Sequence, residues 1–363
     1  MAMKLPLSKT PRCQAPLITA TAINSDKQLT LFMQNIDILY IRIDARFVSE
    51  WASMLKCEEL TTQQPIVWEI NAPADESLAY SWLSGRSITN NGEGFWRRFR
   101  RWQHALRKLP GIRAEEKLRK KIARKAHAAI CVSSSLGKYA EEDLGIPEVR
   151  VLPNGGQLLT KEEINIRRTR SKQEKFSVLY SGSAMYPWQG LDYLAQVIEL
   201  AKTEAPQIQF ILAVNQKTQN LPTSDNVVIL EKLNREKIID AICGADACVS
   251  IHPEYPWAKH GFHNSPMKLF EYMACSRPSV TSNHGQMREI IRDGIDGILC
   301  KNEPHDILKK LKFLQQNPDQ ASNIGHNAWV RIHEELSWRN NVVSNTLLLF
   351  QQLLDRNNTG GSI

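Results

Sequence analysis

Lys268 and Glu271, three positions apart, lie inside Gly261-Phe-His-Asn-Ser-Pro-Met-Lys-Leu-Phe-Glu-Tyr-Met-Ala-Cys-Ser-Arg-Pro-Ser-Val280. Asn264 or Ser265 suits an N-cap and Pro266 suits a first helical position, so a helix is expected from about Pro266. The start of a helix offers free backbone N–H groups and partial positive charge, which favours an anion such as a phosphate. A cation in the first turn opposes the helix dipole, so Lys268 is misplaced for the helix alone. It becomes well placed if a diphosphate lies there. Glu271 shares its face at i+3 and can accept hydrogen bonds from two ribose hydroxyls. Leu269, Phe270 and Met273 supply the buried side. The same residues also describe an ordinary capped helix whose Lys268 and Glu271 form a surface pair.

Such a helix needs a scaffold, and the chain supplies a repeating one. Short apolar runs predict strands at 36–43, 65–70, 128–133, 149–152, 177–180, 208–213, 226–230, 247–251 and 278–281. Helical candidates between them span 190–203, 235–243, 266–274, 286–292 and 304–316. Apolar strand, crossover helix and apolar strand is the pattern of parallel α/β sheets flanked by helices. The expected organisation is a first domain at 1–156, a charged linker at 157–175, a second domain at 176–335, and a C-terminal helix and tail at 336–363.

The 363 residues carry a net charge of +8, with 42% apolar and 23% charged residues. The charge is local. From Trp96 to Lys125 there are thirteen cations against Glu115 and Glu116, a net of +11, so the remainder is slightly acidic. Within this stretch Trp96, Phe99, Trp102, Leu106 and Leu109 recur at the period of one helix face, and Pro110-Gly111 is expected to end the helix. Arg97, Arg98, Arg100 and Arg101 frame the aromatic stripe, an arrangement suited to an anionic membrane surface. A core-facing helix with solvated arginines is the alternative. No nucleic-acid recognition motif accompanies the charge.

Seven cysteines show neither a paired framework nor zinc-ligand spacing. They read as buried free thiols of a cytoplasmic chain, docked on the inner face of the membrane where the basic helix meets it. No apolar run is long enough to cross a bilayer. Residues 1–14 lack the apolar stretch of a signal peptide.

The segment Asn264 to Ala274, followed by Arg277-Pro-Ser-Val280 and Glu289 to Gly297, resembles the donor-binding segment of family-four retaining glycosyltransferases. Val151-Leu-Pro-Asn-Gly155, the loop Tyr180 to Leu191 and Ala245-Asp246 agree with that family in order and spacing. The resemblance covers about residues 125–335. It implies two Rossmann-like domains of GT-B type and a UDP- or GDP-sugar donor; no Asp-x-Asp pair stands in a likely site loop, so no metal and no other cofactor are expected. On the donor side it places Glu271, Lys268, Ser265, Asn264, His263, Gly182, Ser183, Gln189 and Leu233. It implies a glycan or lipid-linked acceptor, with Asn71 of Glu69-Ile-Asn-Ala-Pro73 facing it; an Asn that merely holds the turn before Pro73 is the alternative.

Three positions depart from the family pattern. His263 stands where the family has the first of two glutamates, and Ser183 and Gln189 stand where it often has Arg and Lys. The diphosphate charge therefore falls to Lys268, backbone N–H groups and Ser183. The chain has no glycine before Gly85 and reaches the strand at Ile36 early, which implies a shortened first domain. The expected function is transfer of a sugar with retained configuration, by positioning and stabilisation of the leaving diphosphate and without a protein nucleophile. A non-catalytic partner of the same fold is the alternative; an epimerase or phosphorylase would need distinguishing residues that the chain lacks.

Overall fold

The structure is a computed structural model that describes residues 2–3, 36–43, 64–83, 95–171, 173–218 and 221–358. The expectation of a shortened first domain rests on residues 4–35, outside the described residues. So do the side chains of Trp96, Arg97, Arg98 and Arg101.

The chain divides into two compact units. One comprises 1–76, 108–153 and 343–363; the other comprises 77–107 and 154–342. The first carries a sheet in the order β1 (Ala2–Met3), β2 (Ile38–Ile43), β3 (Ile66–Ile70), β4 (Ala128–Cys131) and β5 (Val149–Val151). Strands β2 to β5 pair in parallel. Alternation sends Ile41, Trp68 and Cys131 into one core with Leu136, and Val67 and Ile130 into another with Leu349, Phe350 and Leu353.

The second unit holds six strands: β6 (Phe176–Gly182), β7 (Ile208–Val214), β8 (Val227–Glu231), β9 (Ala247–Ser250), β10 (Ser279–Ser282) and β11 (Ile298–Cys300). Their order is β11-β10-β9-β6-β7-β8, all parallel. Val178, Tyr180, Phe210 and Leu212 pack on one face, and Leu179, Ile211 and Cys248 on the other. Both faces are buried, as a parallel sheet covered by helices requires. The longer helices are α1 (Phe95–Ala123), α2 (Lys161–Ser171), α3 (Leu191–Glu204), α4 (Arg235–Gly244), α5 (Met267–Ala274), α6 (Pro304–Gln316), α7 (Pro318–Arg331) and α8 (Ser344–Asn358).

The nine expected strands are present within a few residues. The structure adds β1, β11 and α7, and it corrects three boundaries. The charged stretch 157–175 is not a plain linker, because it contains α2. This helix buries only Ile164, and Arg167 ties it to Asp240 at 2.5 Å and Glu236 at 2.7 Å on α4. Beyond Ile164, its described ties to α4 are ion pairs rather than an apolar stripe. The C-terminal helix α8 belongs to the first unit, although it is last in the chain.

The third correction concerns Pro110-Gly111, which does not end α1. A proline inside a helix removes one hydrogen bond and costs roughly 3 kcal/mol. Buried anchors hold the helix on both sides of it: Ala105 before, and Arg119, Ile122 and Ala123 after. Arg119 is 0% exposed; its Nη2 meets Glu115 Oε1 at 2.7 Å and its Nη1 donates to Ala72 O at 2.7 Å. The cysteines Cys131, Cys243, Cys248, Cys275 and Cys300 are buried free thiols, as expected.

Removing one partner of a buried ion pair leaves a desolvated charge behind, so Glu115→Ala should destabilise the protein by roughly 3 kcal/mol. Urea unfolding checks this. An unchanged midpoint would mean that the Arg119 charge is met elsewhere.

Candidate functional site

The site grows from the end of β6. Tyr180 is buried in that strand, and the chain leaves the sheet at Gly182. A Cβ at Gly182 would lie 2.9 Å from Lys268 Nζ, 2.9 Å from Tyr180 Oη and 3.0 Å from Gln189 Oε1. Glycine leaves room for three polar atoms to converge. Lys268 Nζ donates to Gln189 Oε1 at 2.6 Å and lies 4.1 Å from the Tyr180 ring centroid. The lysine is 7% exposed. Burial pushes its pKa down to about 7, opposed by the nearby Glu271 carboxylate.

Gln189 is held from below. The loop Ser183–Gln189 ends in a short 3-10 turn, and Gly190 (φ 68°) turns the chain into α3. A Cβ at Gly190 would lie 2.1 Å from Ile251 O, so both the left-handed backbone and the close approach require glycine. His252, next to Ile251, places its Nδ1 2.9 Å from Trp188 O and its Nε2 3.2 Å from Ser250 Oγ. A carbonyl only accepts, so Nδ1 carries the proton and Nε2 accepts from the serine. Burial, then the Lys268 charge, pushes the His252 pKa well down, which keeps this ring neutral. His252 was not foreseen from the sequence. Its signal was weak: one histidine after a buried strand.

Helix α5 begins one residue later than expected. Pro266 is its N-cap, with no side chain capping it. The expected caps are engaged elsewhere. Ser265 Oγ accepts from Asn154 N at 3.1 Å, Ser265 O accepts from Asn154 Nδ2 at 2.9 Å, and Asn264 Nδ2 donates to Tyr255 Oη at 2.9 Å. These bonds leave the first N–H groups of α5 without side-chain caps. Uncapped N–H groups beside a buried lysine form an anion-binding arrangement.

Glu271 follows one turn on, with its side chain 21% exposed and Arg235 Nη1 3.9 Å away. Burial raises its pKa, while Arg235 and Lys268 hold it down. Arg235 is the second residue that the sequence did not single out. It opens α4, capped by Asn234 Oδ1 accepting from Lys237 N at 2.9 Å. A cation in a first helical turn, the anomaly that marked Lys268, was its available signal.

The other expected residues sort differently. Ser183 is half-buried in the loop, its Oγ accepting from Met185 N at 3.2 Å. His263 is buried 5.0 Å from the Tyr255 ring, and burial pushes its pKa down to about 4. It therefore brings no charge to the position where the family pattern has a glutamate. Leu233 is half-buried in the turn between β8 and α4. Asn71, in the first unit, donates to Glu69 Oε1 at 2.7 Å, and Tyr40 Oη donates to Glu69 Oε2 at 2.7 Å. Among the described residues no group of three His, Cys, Asp or Glu can hold a metal ion.

Lys268 gives the site a pH signature. Its native pKa of about 7 lies below the ordinary 10.5, so between those values the unfolded chain binds the extra proton. Its contribution to stability therefore rises with pH through that window and is least below it. Urea midpoints of wild type and Lys268→Met should show the wild type gaining on the variant from pH 7 to pH 9.5. The opposite trend would mean that the fold favours the ammonium, and it would overturn the lowered pKa.

Residues 175–317 match the family model described as glycosyl transferases group 1. Over 128 residues the chain is 28% identical to an uncharacterized glycosyltransferase of Methanocaldococcus jannaschii, covering 35% of this chain and 35% of that protein. Over 211 residues it is 24% identical to the chitobiosyldiphosphodolichol beta-mannosyltransferase of Debaryomyces hansenii, covering 51% of this chain and 44% of that one. The matches thus span less than half of either relative. Two solved structures share the fold. Sucrose-phosphate synthase from Thermosynechococcus elongatus has a TM-score of 0.62 at 14% identity, covering 98% of this chain and 82% of that one. Anabaena HepE in complex with UDP has a TM-score of 0.60 at 15% identity, covering 90% and 81%. The chain has the GT-B fold of two Rossmann-like domains, and its residues 175–317 are similar to the glycosyl transferases group 1 family.

Proposed function

We propose that the protein transfers a sugar from a UDP-sugar to a glycan or lipid-linked hydroxyl with retained configuration. The carrying observation is the lysine ammonium buried beside the uncapped start of α5, with the Glu271 carboxylate one turn further on. In this reading Lys268 and the first N–H groups of α5 hold the diphosphate, and Glu271 accepts from the ribose hydroxyls. The bond from the sugar's anomeric carbon to the diphosphate breaks with its electron pair leaving on the phosphate oxygen. The acceptor oxygen bonds that carbon, and its proton leaves with the diphosphate. Catalysis rests on positioning and on the positive charge that meets the departing anion. Complexes of Anabaena HepE with UDP and with UDP-glucose support uridine over guanosine as the base.

A non-catalytic role in the same assembly is the second reading. It is favoured by Gln189 occupying Lys268 and by a neutral His263. Hydrolysis of a panel of nucleotide sugars separates the two readings: release of free sugar supports the transferase, and no release from any donor supports the partner.

UDP should bind without a divalent ion, and Glu271→Ala should weaken it by about 1.5–3 kcal/mol, roughly tenfold to hundredfold in Kd. Calorimetry with and without chelator checks both. Abolition by chelator, or an unchanged Kd in a folded variant, would overturn the assignment.

We also propose docking on the anionic inner face of a membrane. On α1, Phe99 is 36%, Trp102 52% and Leu106 41% exposed, and Arg100 is exposed beside them. No described helix is long and apolar enough to cross a membrane. Each cation near such a surface adds about 1 kcal/mol, screened by salt. Trp102→Ala should reduce co-sedimentation with phosphatidylserine vesicles and leave the melting temperature unchanged. A lower melting temperature with intact vesicle binding would make this an ordinary packed helix.

A further inference from the structure

A cavity of about 370 Å³ opens in the second unit at the N-terminal ends of its inner strands, away from the Lys268 site. Phe176, Asp246 and Pro278, which begin or immediately precede β6, β9 and β10, line it. Gly182 closes the other end of β6, with Lys268 Nζ beside it. Seven residues of β6 put the two ends roughly 20 Å apart.

The cavity is cationic. Lys161, Arg168 and Arg277 line it, with Asp246 as the one carboxylate in the lining. Asp246 is already engaged: its Oδ2 accepts from Ser177 N at 2.9 Å, and its Oδ1 lies 3.7 Å from Arg168. Arg277 is 6% exposed. Its Nε donates to Cys275 O at 3.1 Å and its Nη1 to Ala245 O at 3.2 Å. Its Nη2 has no acceptor among the described residues. Burial, then the neighbouring Arg168 charge, acts against the Arg277 charge. Two guanidinium groups and an ammonium thus face one space with an excess of positive charge.

The backbone holds this arrangement rigidly. Helix α5 ends with Ser276 N donating to Met273 O at 3.0 Å and Arg277 N donating to Tyr272 O at 3.0 Å, with Ser276 at φ 56°. This is a Schellman cap in which serine takes the left-handed place that glycine usually fills. Helix α7 presses on the turn at Gly325, where a Cβ would lie 2.4 Å from Ser276 O. Arg277 is therefore placed by main chain, not by a flexible surface stem.

We propose that this cavity is a second ligand site, which binds a small molecule carrying a phosphate group. Arginine forks match phosphate geometry, and the volume lies within the range of ligand pockets, about 300–1,000 Å³. The site is separate from the donor site and does not depend on the donor reading.

The test uses inorganic phosphate and the full chain. Lys268→Gln removes the cation proposed to hold the diphosphate at the other end of β6, so calorimetry on that variant reads the cavity. It should still bind one phosphate per chain. Adding Lys161→Gln and Arg168→Gln should weaken that binding at least tenfold, with circular dichroism unchanged. Lys161 Nζ lies 5.1 Å from the Trp329 ring, so the tryptophan emission of Lys268→Gln should respond to phosphate and lose that response when Trp329→Phe is added. No phosphate binding in Lys268→Gln, unchanged affinity after the two further substitutions, or an emission change that survives Trp329→Phe would each overturn the proposal.

Discussion

A lysine ammonium removed from water sets the terms for the second unit. An isolated buried charge costs several kcal/mol, and a buried lysine sheds its proton unless partners offset that cost. Here the offsets are a single amide oxygen, an aromatic face and a carboxylate one turn away: Gln189, Tyr180 and Glu271. Each fixes a different element. Tyr180 belongs to β6, Gln189 to the loop before α3, and Glu271 to α5. The amine is therefore the point at which strand, loop and helix must agree, and Gly182 is small because anything larger would enter the same space. A group held close to its titration point by burial also responds strongly to an arriving anion, because a diphosphate would supply the charge that the site lacks.

The surrounding structure keeps those three elements in register. Gly190 lies against the backbone of Ile251, and His252 holds Trp188 O, so β9 determines where the β6 loop stands. His252 O accepts in turn from Asn302 Nδ2 at 2.7 Å, and His252 N donates to Ser282 Oγ at 2.9 Å, which carries the tie to β10 and beyond. On the far side of α5, the Asn154 amide and side chain hold Ser265 and its carbonyl. Those bonds redirect the residues that would have capped the helix. Leaving a helix start uncapped costs stability, typically about 1 kcal/mol, and it preserves the N–H groups for a ligand.

Helix α5 links two cationic environments. Its first turn carries Lys268, and its Schellman cap presents Arg277 at the starts of the inner strands. Eight residues span only about 12 Å, so the helix is short and stiff, and its two ends are fixed by unrelated contacts. Positive charge in this protein is thus organised in distinct places: buried at Lys268, enclosed at Arg168 and Arg277, and spread along α1. Only the last was visible as a run of like residues.

The sequence by itself determined the alternation of strand and helix, because parallel strands buried on both faces must be continuous apolar runs and these are read directly. It also marked Lys268 and Glu271, since a cation in a first helical turn is locally unfavourable and so asks for a partner. It did not reveal β11, three residues long, or α2, whose Arg167 reaches Asp240 and Glu236 some seventy positions away. Proline at 110 spoke for a helix end, and buried anchors on either side overrode it. The role of Ser265 was misread for the same reason: a local cap is a guess about the nearest N–H, and Asn154, more than a hundred residues earlier, offered a better one. Arg235, His252 and the cluster around Arg277 act through space rather than through spacing. Only the tertiary structure could bring them to their partners, because burial, charge proximity and the choice among competing hydrogen bonds are decided once distant segments meet.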